Sequence, residues 1–217
     1  MLIHPCDAAL DEREWRAWLG EGRDFGQLVT SDTDGWPLVV PTHFVLQGEQ
    51  QVLVHLARSN PMWAALQADS RVLLAVLDDY AYVPTGWRAA PDVPPEHGVP
   101  TSYYAAVQLR CRAEIVDDPV GKADLLRRQL EHFQPDRDFA DISVDSEPYG
   151  RMLAGIRALR LHVVDVRAKY KFDDHKPARH RRDVARRLQQ RALGRDRGAA
   201  DQQLRRLQQS LQARGPA

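Results

Sequence analysis

Phe25-Gly26-Gln27-Leu28-Val29-Thr30-Ser31, Leu38 to Leu46 and Val52 to Ala57 are three short runs of strand type. Asp32-Thr33-Asp34-Gly35 and Gly48-Glu49-Gln50 link them. Short polar links of this kind, with glycine where a positive φ is wanted, join neighbouring antiparallel strands. The stretch therefore predicts a β-meander. It argues against a βαβ nucleotide-binding unit, and no Gly-x-Gly-x-x-Gly occurs in the chain.

The third run leads into Arg58-Ser59-Asn60-Pro61 and then an apolar helix, Met62 to Ala68. Proline suits a first helical turn, and Ser or Asn before it supplies a cap. A capped start beside an arginine also suits a phosphate, because free N–H groups, the helix dipole and a planar cation converge there. An ordinary capped turn with a surface arginine explains the same residues.

Further along, Arg71 to Asp78 is a strongly apolar strand, and Tyr104 to Val116 and Gly155 to Arg167 are two more. Asp79 to Trp87 is aromatic and turn-rich, and Ala89 to Pro100 carries four prolines, which predicts a loop. Helices are expected from Asp11 to Gly20, with Trp15, Trp18 and Leu19 on one side, and from Pro119 to about His132. Gln134 to Tyr149 reads as acidic and irregular. About six mostly antiparallel strands with few helices predict a mainly β fold, a closed or nearly closed β-barrel with flanking helices.

The 217 residues fit one domain with an appendage, here divided as 1–174 and 175–217. No apolar run approaches the length of a membrane span, and the first residues lack a signal-peptide pattern. Cys6 and Cys111 are far apart and in no metal-like spacing, so a cytoplasmic protein with reduced thiols is expected. The net charge of zero hides a contrast. From His175 onward there are 12 Lys/Arg against Asp183, Asp196 and Asp201, which leaves 18 basic and 27 acidic residues before it. The tail has helical composition, divided near Gly194 and Gly198. It reads as frayed, solvated helices, or as a cover for the acidic body of a partner subunit. Its cluster of Arg179, Arg181, Arg182, Arg186 and Arg187 is the one surface suited to non-specific nucleic-acid contact. No helix-turn-helix pattern stands in the body.

Several segments, in order, resemble the FMN-binding negative transcriptional regulator family, the PaiB-like proteins. These are Phe25 to Thr30, Pro41-Thr42-His43, His55 to Trp63, Ala81 to Trp87, Val99-Pro100-Thr101, Asp117-Asp118-Pro119 and Lys169-Tyr170-Lys171-Phe172. That resemblance implies the FMN-binding split barrel also seen in pyridoxamine-phosphate oxidases, with FMN at a homodimer interface. It implies that Arg58, Ser59 and Asn60 hold the FMN phosphate and that Val40, Pro41, Thr42 and His43 run beside the isoalloxazine ring. Tyr82, Trp87 and Thr101 would act from the partner chain, and Lys169 and Lys171 would face the phosphate or the pyrimidine end. The chain departs from the family pattern at Ser102 and Tyr103, where Trp-Asn is usual, at Ala168, where Gly is usual, and at Arg88, where an aromatic is usual.

Read as residues alone, Trp63 is expected in the core, and Lys169 and Lys171 share one strand face. His43, His55 and His162 would be the ligands of a haem-binding variant. Flavin-dependent oxidoreduction of a small molecule is the alternative function, because in a flavoprotein the reactive atoms belong to the cofactor. The Ala89–Pro100 loop would then serve as a lid.

Overall fold

The structure is a computed structural model that describes residues 1–90 and 92–213. Its strands are β1 (Phe25–Ser31), β2 (Pro37–His43), β3 (Val45–Gln47), β4 (Gln51–Ala57), β5 (Arg71–Val83), β6 (Thr101–Val116) and β7 (Ile156–Lys171). The helices are α1 (Glu12–Gly20), α2 (Met62–Ala68), α3 (Thr85–Arg88), α4 (Pro119–Phe133), α5 (Tyr149–Met152), α6 (Ala178–Arg191) and α7 (Asp196–Ala213). The chain divides into two compact units. The sheet unit comprises Leu19–Val76 and Gln108–Val166; the helical unit comprises Met1–Trp18, Leu77–Val107 and the chain from Arg167 on.

In the sheet unit the strand order is β2-β1-β5-β6-β7-β4-β3. The two hairpins expected from the turns form, β1 with β2 from Phe25↔His43 to Ser31↔Pro37 and β3 with β4 from Val45↔Leu53 to Gln47↔Gln51. They are not three neighbouring strands of one meander, since β2 and β3 lie at opposite ends of the sheet. The sheet does not close. It ends on β2 and β3, as a split barrel does. β4 pairs antiparallel with β7 from Gln51↔His162 to Ala57↔Ile156. Leu28, Val52, Val54, Leu74, Leu159 and Leu161 form the buried side of these strands. β1 and β5 approach closely at Gly26, where a Cβ would lie 3.0 Å from the Ala75 carbonyl oxygen. Among the described residues there are seven strands where about six were expected. The extra one arises at Phe44. Its N–H donates to the Asp24 carbonyl at 2.8 Å and its ring is buried, which breaks the run Leu38 to Leu46 into β2 and β3. α4 is capped by Asp118, whose carboxylate accepts the Gly121 N–H. It buries Ala123 against Ile142 and Leu153.

In the helical unit, β5 changes its facing. Leu77 is exposed, Asp79 is buried with φ 51°, and from there Tyr80 and Tyr82 point outward while Ala81 and Val83 point inward. A positive φ at a non-glycine residue within a strand marks a bulge, which shifts the side-chain alternation by one. The indole N–H of Trp18 donates to Asp79 at 2.8 Å with both groups buried.

The tail is not a set of solvated helices. α6 and α7 bury Val184, Ala185, Leu188, Ala199 and Ala200, and Arg181 and Arg206 are only 1% and 2% exposed. The Arg206 Nη1 group donates to both oxygens of Glu14 at 2.6 and 2.7 Å, and Nε donates to Asp174 at 2.6 Å. Arg181 donates to the other oxygen of Asp174 at 2.6 Å. The loop from Ala89 to Pro100 packs on α3, since the Arg88 guanidinium donates to the Val99 carbonyl at 2.7 Å. A Cβ on Gly98 would meet the Thr85 carbonyl at 2.0 Å. Pro91, within that loop, lies outside the described residues.

A Cβ at Gly198, in the first turn of α7, would lie 2.3 Å from the Asp79 carboxylate that Trp18 holds in place. Gly198→Ala is therefore expected to destabilise the protein by about 1–3 kcal/mol through overpacking. Gly155→Ala, which meets nothing within 4 Å, is the control. Thermal unfolding of the two variants side by side checks this, and equal midpoints would contradict it.

Candidate functional site

In the sheet unit, β2 is an edge strand and carries Val40, Pro41, Thr42 and His43. An edge strand keeps one row of backbone N–H and C=O groups free for another partner. Pro41 and His43 are exposed, and Val40 and Thr42 are half-buried. The His43 ring sits edge-on to Phe25 and Phe133, with centroids 4.8 and 5.1 Å away. Its Nδ1 is 3.8 Å from one oxygen of Asp24, whose other oxygen is 3.4 Å from His132 Nε2.

Arg58, Ser59 and Asn60 form the turn from β4 into α2. The Arg58 N–H donates to the Gly155 carbonyl and its Nε to the Ala154 carbonyl, both at 2.8 Å. About half of the side chain remains exposed, with Nη2 4.0 Å from Asp117. Asp117 already accepts two hydrogen bonds from Arg157, which hold its carboxyl below the ordinary range. Asn60, not Ser59, caps the helix: its Oδ1 accepts the Met62 N–H at 3.0 Å. That leaves Ser59 exposed and uncommitted to the cap. Trp63 is buried as expected, and its indole N–H donates to the Ala57 carbonyl at 2.8 Å. His55 pairs with Gln129 at 2.6 Å and His162 with Glu114 at 2.9 Å, so each ring already has a polar neighbour.

The remaining expected residues lie in the helical unit. Tyr82 is exposed on β5, and its carbonyl accepts from Arg191 at 2.9 Å. The Trp87 ring lies under guanidinium groups of α6, with Arg191 Cζ 4.8 Å and Arg187 Cζ 5.9 Å from its centroid. Thr101 is the half-buried first residue of β6. Lys169 and Lys171 do share a face, both close to the Tyr104 ring. Lys169 is buried, however. Its ammonium donates to the Leu2 carbonyl at 2.9 Å and lies 3.5 Å from Asp7. Lys171 is half-buried.

Sequence reasoning missed one polar centre in this unit. Asp173 is buried, accepts two hydrogen bonds from Arg88 at 2.9 and 3.1 Å, and accepts the Tyr103 hydroxyl at 3.0 Å. The Gln203 amide donates to the same hydroxyl at 3.0 Å, and His180 Nε2 stands 3.7 Å from the carboxylate. Arg88 and Tyr103 are two of the positions where the chain departs from the family pattern, and that coincidence was the signal available. Burial alone would raise the Asp173 carboxyl, but His180, Arg88 and Tyr103 together hold it well below the ordinary carboxylate range. Burial and the neighbouring Asp173 charge push the Tyr103 phenol upward.

Residues 1–165 match the family described as "Putative FMN-binding domain". The chain belongs to this family. FMN is the cofactor that this membership supports. The chain is similar to the protease synthase and sporulation protein PAI 2 of Bacillus subtilis (strain 168), 26% identical over 157 residues, covering 70% of this chain and 72% of that protein. Among solved structures it is similar to the FAD and haem binding protein from Mycobacterium smegmatis, with TM-score 0.59, 18% identity and coverage of 83% of this chain and 80% of that one. It is also similar to the flavocytochrome Anf3 from Azotobacter vinelandii, with TM-score 0.58, 20% identity and coverage of 76% and 69%. These two likenesses establish the shared split-barrel fold. The family match ends at residue 165, before α6 and α7 begin.

A carboxylate with a depressed folded-state pKa contributes stability above its unfolded value of about 4 and loses that contribution as pH falls. Asp173→Asn is therefore expected to lower the unfolding midpoint at pH 7 and to flatten the decline in stability below about pH 4. Thermal melts of both proteins between pH 7 and pH 3 measure this, and parallel curves would remove Asp173 from the account.

Proposed function

We propose that the chain binds FMN as a homodimer and acts as a regulator of the PaiB-like type. The observation that carries this reading is the Arg58–Asn60 turn, with a half-exposed guanidinium and an exposed serine within the family-matched region. These residues fit a phosphate: Arg58 is fixed through Nε, and its terminal nitrogens remain to grip two oxygens. The edge of β2 at Val40 to His43 fits the polar rim of a flat ring, because its free backbone groups can donate and accept. Bound FMN supplies one- and two-electron chemistry.

The other assignments follow from what each side chain is free to do. Lys171 is better suited than Lys169 to meet the flavin, since Lys169 is held by Leu2 and Asp7. Tyr82, Trp87 and Thr101 would be supplied by the second subunit. Leu77, Tyr80 and Tyr82, exposed together on β5, support burial against a second copy of the chain. The regulatory part of this reading rests on the PaiB-like resemblance; the similar Bacillus subtilis protein is named for protease synthase and sporulation. Arg179, Arg182 and Arg186, exposed on α6, are the groups we assign to non-specific nucleic-acid contact; Arg181 is buried and takes no part. No helix among the described residues is long and apolar enough to cross a membrane.

Arg58→Ala is expected to weaken FMN binding about tenfold or more while leaving the fold intact, because it removes a charge-assisted contact at an exposed turn. Titration of FMN by flavin fluorescence quenching checks it, and unchanged affinity would sink the phosphate assignment. Tyr80→Arg with Tyr82→Arg should yield monomers in sedimentation equilibrium; a persisting dimer would mean that another surface holds the subunits.

A further inference from the structure

A cleft of about 640 Å³ opens in the sheet unit at the turn end of the β1–β2 hairpin. Its floor is apolar: half-buried Val29 and Leu73 face it, with exposed Val164 at the rim, while buried Val72 and Cys111 turn their side chains to the other face of the sheet. Three guanidinium groups also line it, those of Arg71, Arg110 and Arg112, against a single carboxylate, Asp69. Arg71 is spent on Asp69, which it meets at 2.6 Å, and Arg110 stands 3.4 Å from Asp165, just outside the cleft. Arg112 is exposed and makes no ion pair among the described residues. The site therefore keeps one cation in surplus beside a greasy floor.

We propose that this cleft binds a small amphipathic anion, an apolar chain or ring carrying one carboxylate, sulfonate or phosphate. The apolar body lies on Val29, Leu73 and Val164, and the charged head meets Arg112, with Arg110 close on the same strand. The volume lies within the range of about 300–1,000 Å³ in which pockets enclose small ligands. Arg71 and Asp69, already paired, form a fixed polar wall that adds orientation without adding net charge. The Cys111 side chain alternates away from the cleft between Arg110 and Arg112, and burial pushes its thiol up to about 12, so it stays protonated and offers no covalent chemistry there.

The cleft is separate from the residues assigned to FMN. Along the hairpin, Val40 to His43 face Leu28 to Phe25, whereas the cleft takes in Ser31 and Pro37 at the other end. None of the residues assigned to the flavin lines it.

Isothermal titration of the full chain, saturated with FMN, tests the proposal with octanoate, 2-naphthoate and the neutral 2-naphthol. Saturable binding of either acid is expected, with 2-naphthol at least about tenfold weaker, since it lacks the charge-assisted contact. Binding by octanoate alone would define a chain-shaped ligand, and by 2-naphthoate alone a ring. Arg112→Ala should weaken the acid about tenfold, and Leu73→Trp should abolish binding by filling the floor. Arg112 is exposed, so its variant decides the matter even if Leu73→Trp does not fold. Absence of binding by both acids would overturn the proposal, as would equal binding of acid and alcohol, or unchanged affinity in Arg112→Ala. If neither acid binds and Leu73→Trp alters the oligomeric state in sedimentation equilibrium, the cleft belongs to an interface between copies of the chain.

Discussion

A guanidinium removed from water is stable only if its donors are met by fixed acceptors. Arg206 satisfies that condition with partners from three distant segments: Glu14 in α1, Asp174 after β7, and the Ala8 carbonyl, which its Nη2 meets at 2.9 Å. The ring of Tyr170 lies 5.0 Å from its Cζ. Removing both carboxylates would leave an uncompensated buried charge, and removing either one would leave buried donors of the guanidinium without an acceptor. The last helix is thus bound to the first. The charge contrast between tail and body has the same origin. Arg181 with Asp174, Arg191 with Asp196, and Arg205 with Glu14 are neutralised within the fold, so the basic tail is far less basic at its surface than its composition implies.

Asp173 plays a comparable part beside β6. Its two acceptors serve Arg88 and Tyr103, and Gln203 of α7 reaches the same hydroxyl. Two departures from the family pattern are consequently one device: an arginine and a tyrosine brought in together to satisfy one buried carboxylate. Both depend on Asp173, since a buried charge or hydroxyl without its partner costs more than the bond it would make. The device also draws Trp87 into contact with α6, where Arg191 and Arg187 lie over its ring. An aromatic that the resemblance assigned to a flavin is, within the subunit, a docking surface for the tail.

Much of the architecture was legible in the residues. The polar turns at Asp32–Gly35 and Gly48–Gln50 are local chemistry, and the β1–β2 pairing they imply is present. The cap before α2 was legible too, and of the two candidates, Ser and Asn, Asn60 supplies it. What was missed lay in pairs remote in sequence. The division of β2 from β3 at Phe44 depends on a carbonyl at Asp24, and the reversal of facing at Asp79 depends on Trp18. The residues read as a strand from Arg71 to Asp78 with a turn-rich stretch from Asp79. β5 instead runs on through a bulge at Asp79 to Val83 with its period shifted, and no local pattern records such a slip. Lys169 looked free because a lysine in sequence carries no mark of the carbonyl it will meet; here that carbonyl belongs to Leu2.

The sequence by itself determined the two hairpins and the capped turn that carries Arg58, because these rest on contiguous residues, and membership of an FMN-binding family, which rests on short segments in a fixed order. Only the tertiary structure decided which arginines are surface groups and which are buried struts, which lysine is occupied, and which face of β5 meets solvent. The physical reason is common to all of these. Whether a charge is solvated or paired, and whether a side chain faces in or out across a bulge, is fixed by groups that the chain brings together only after many residues have intervened.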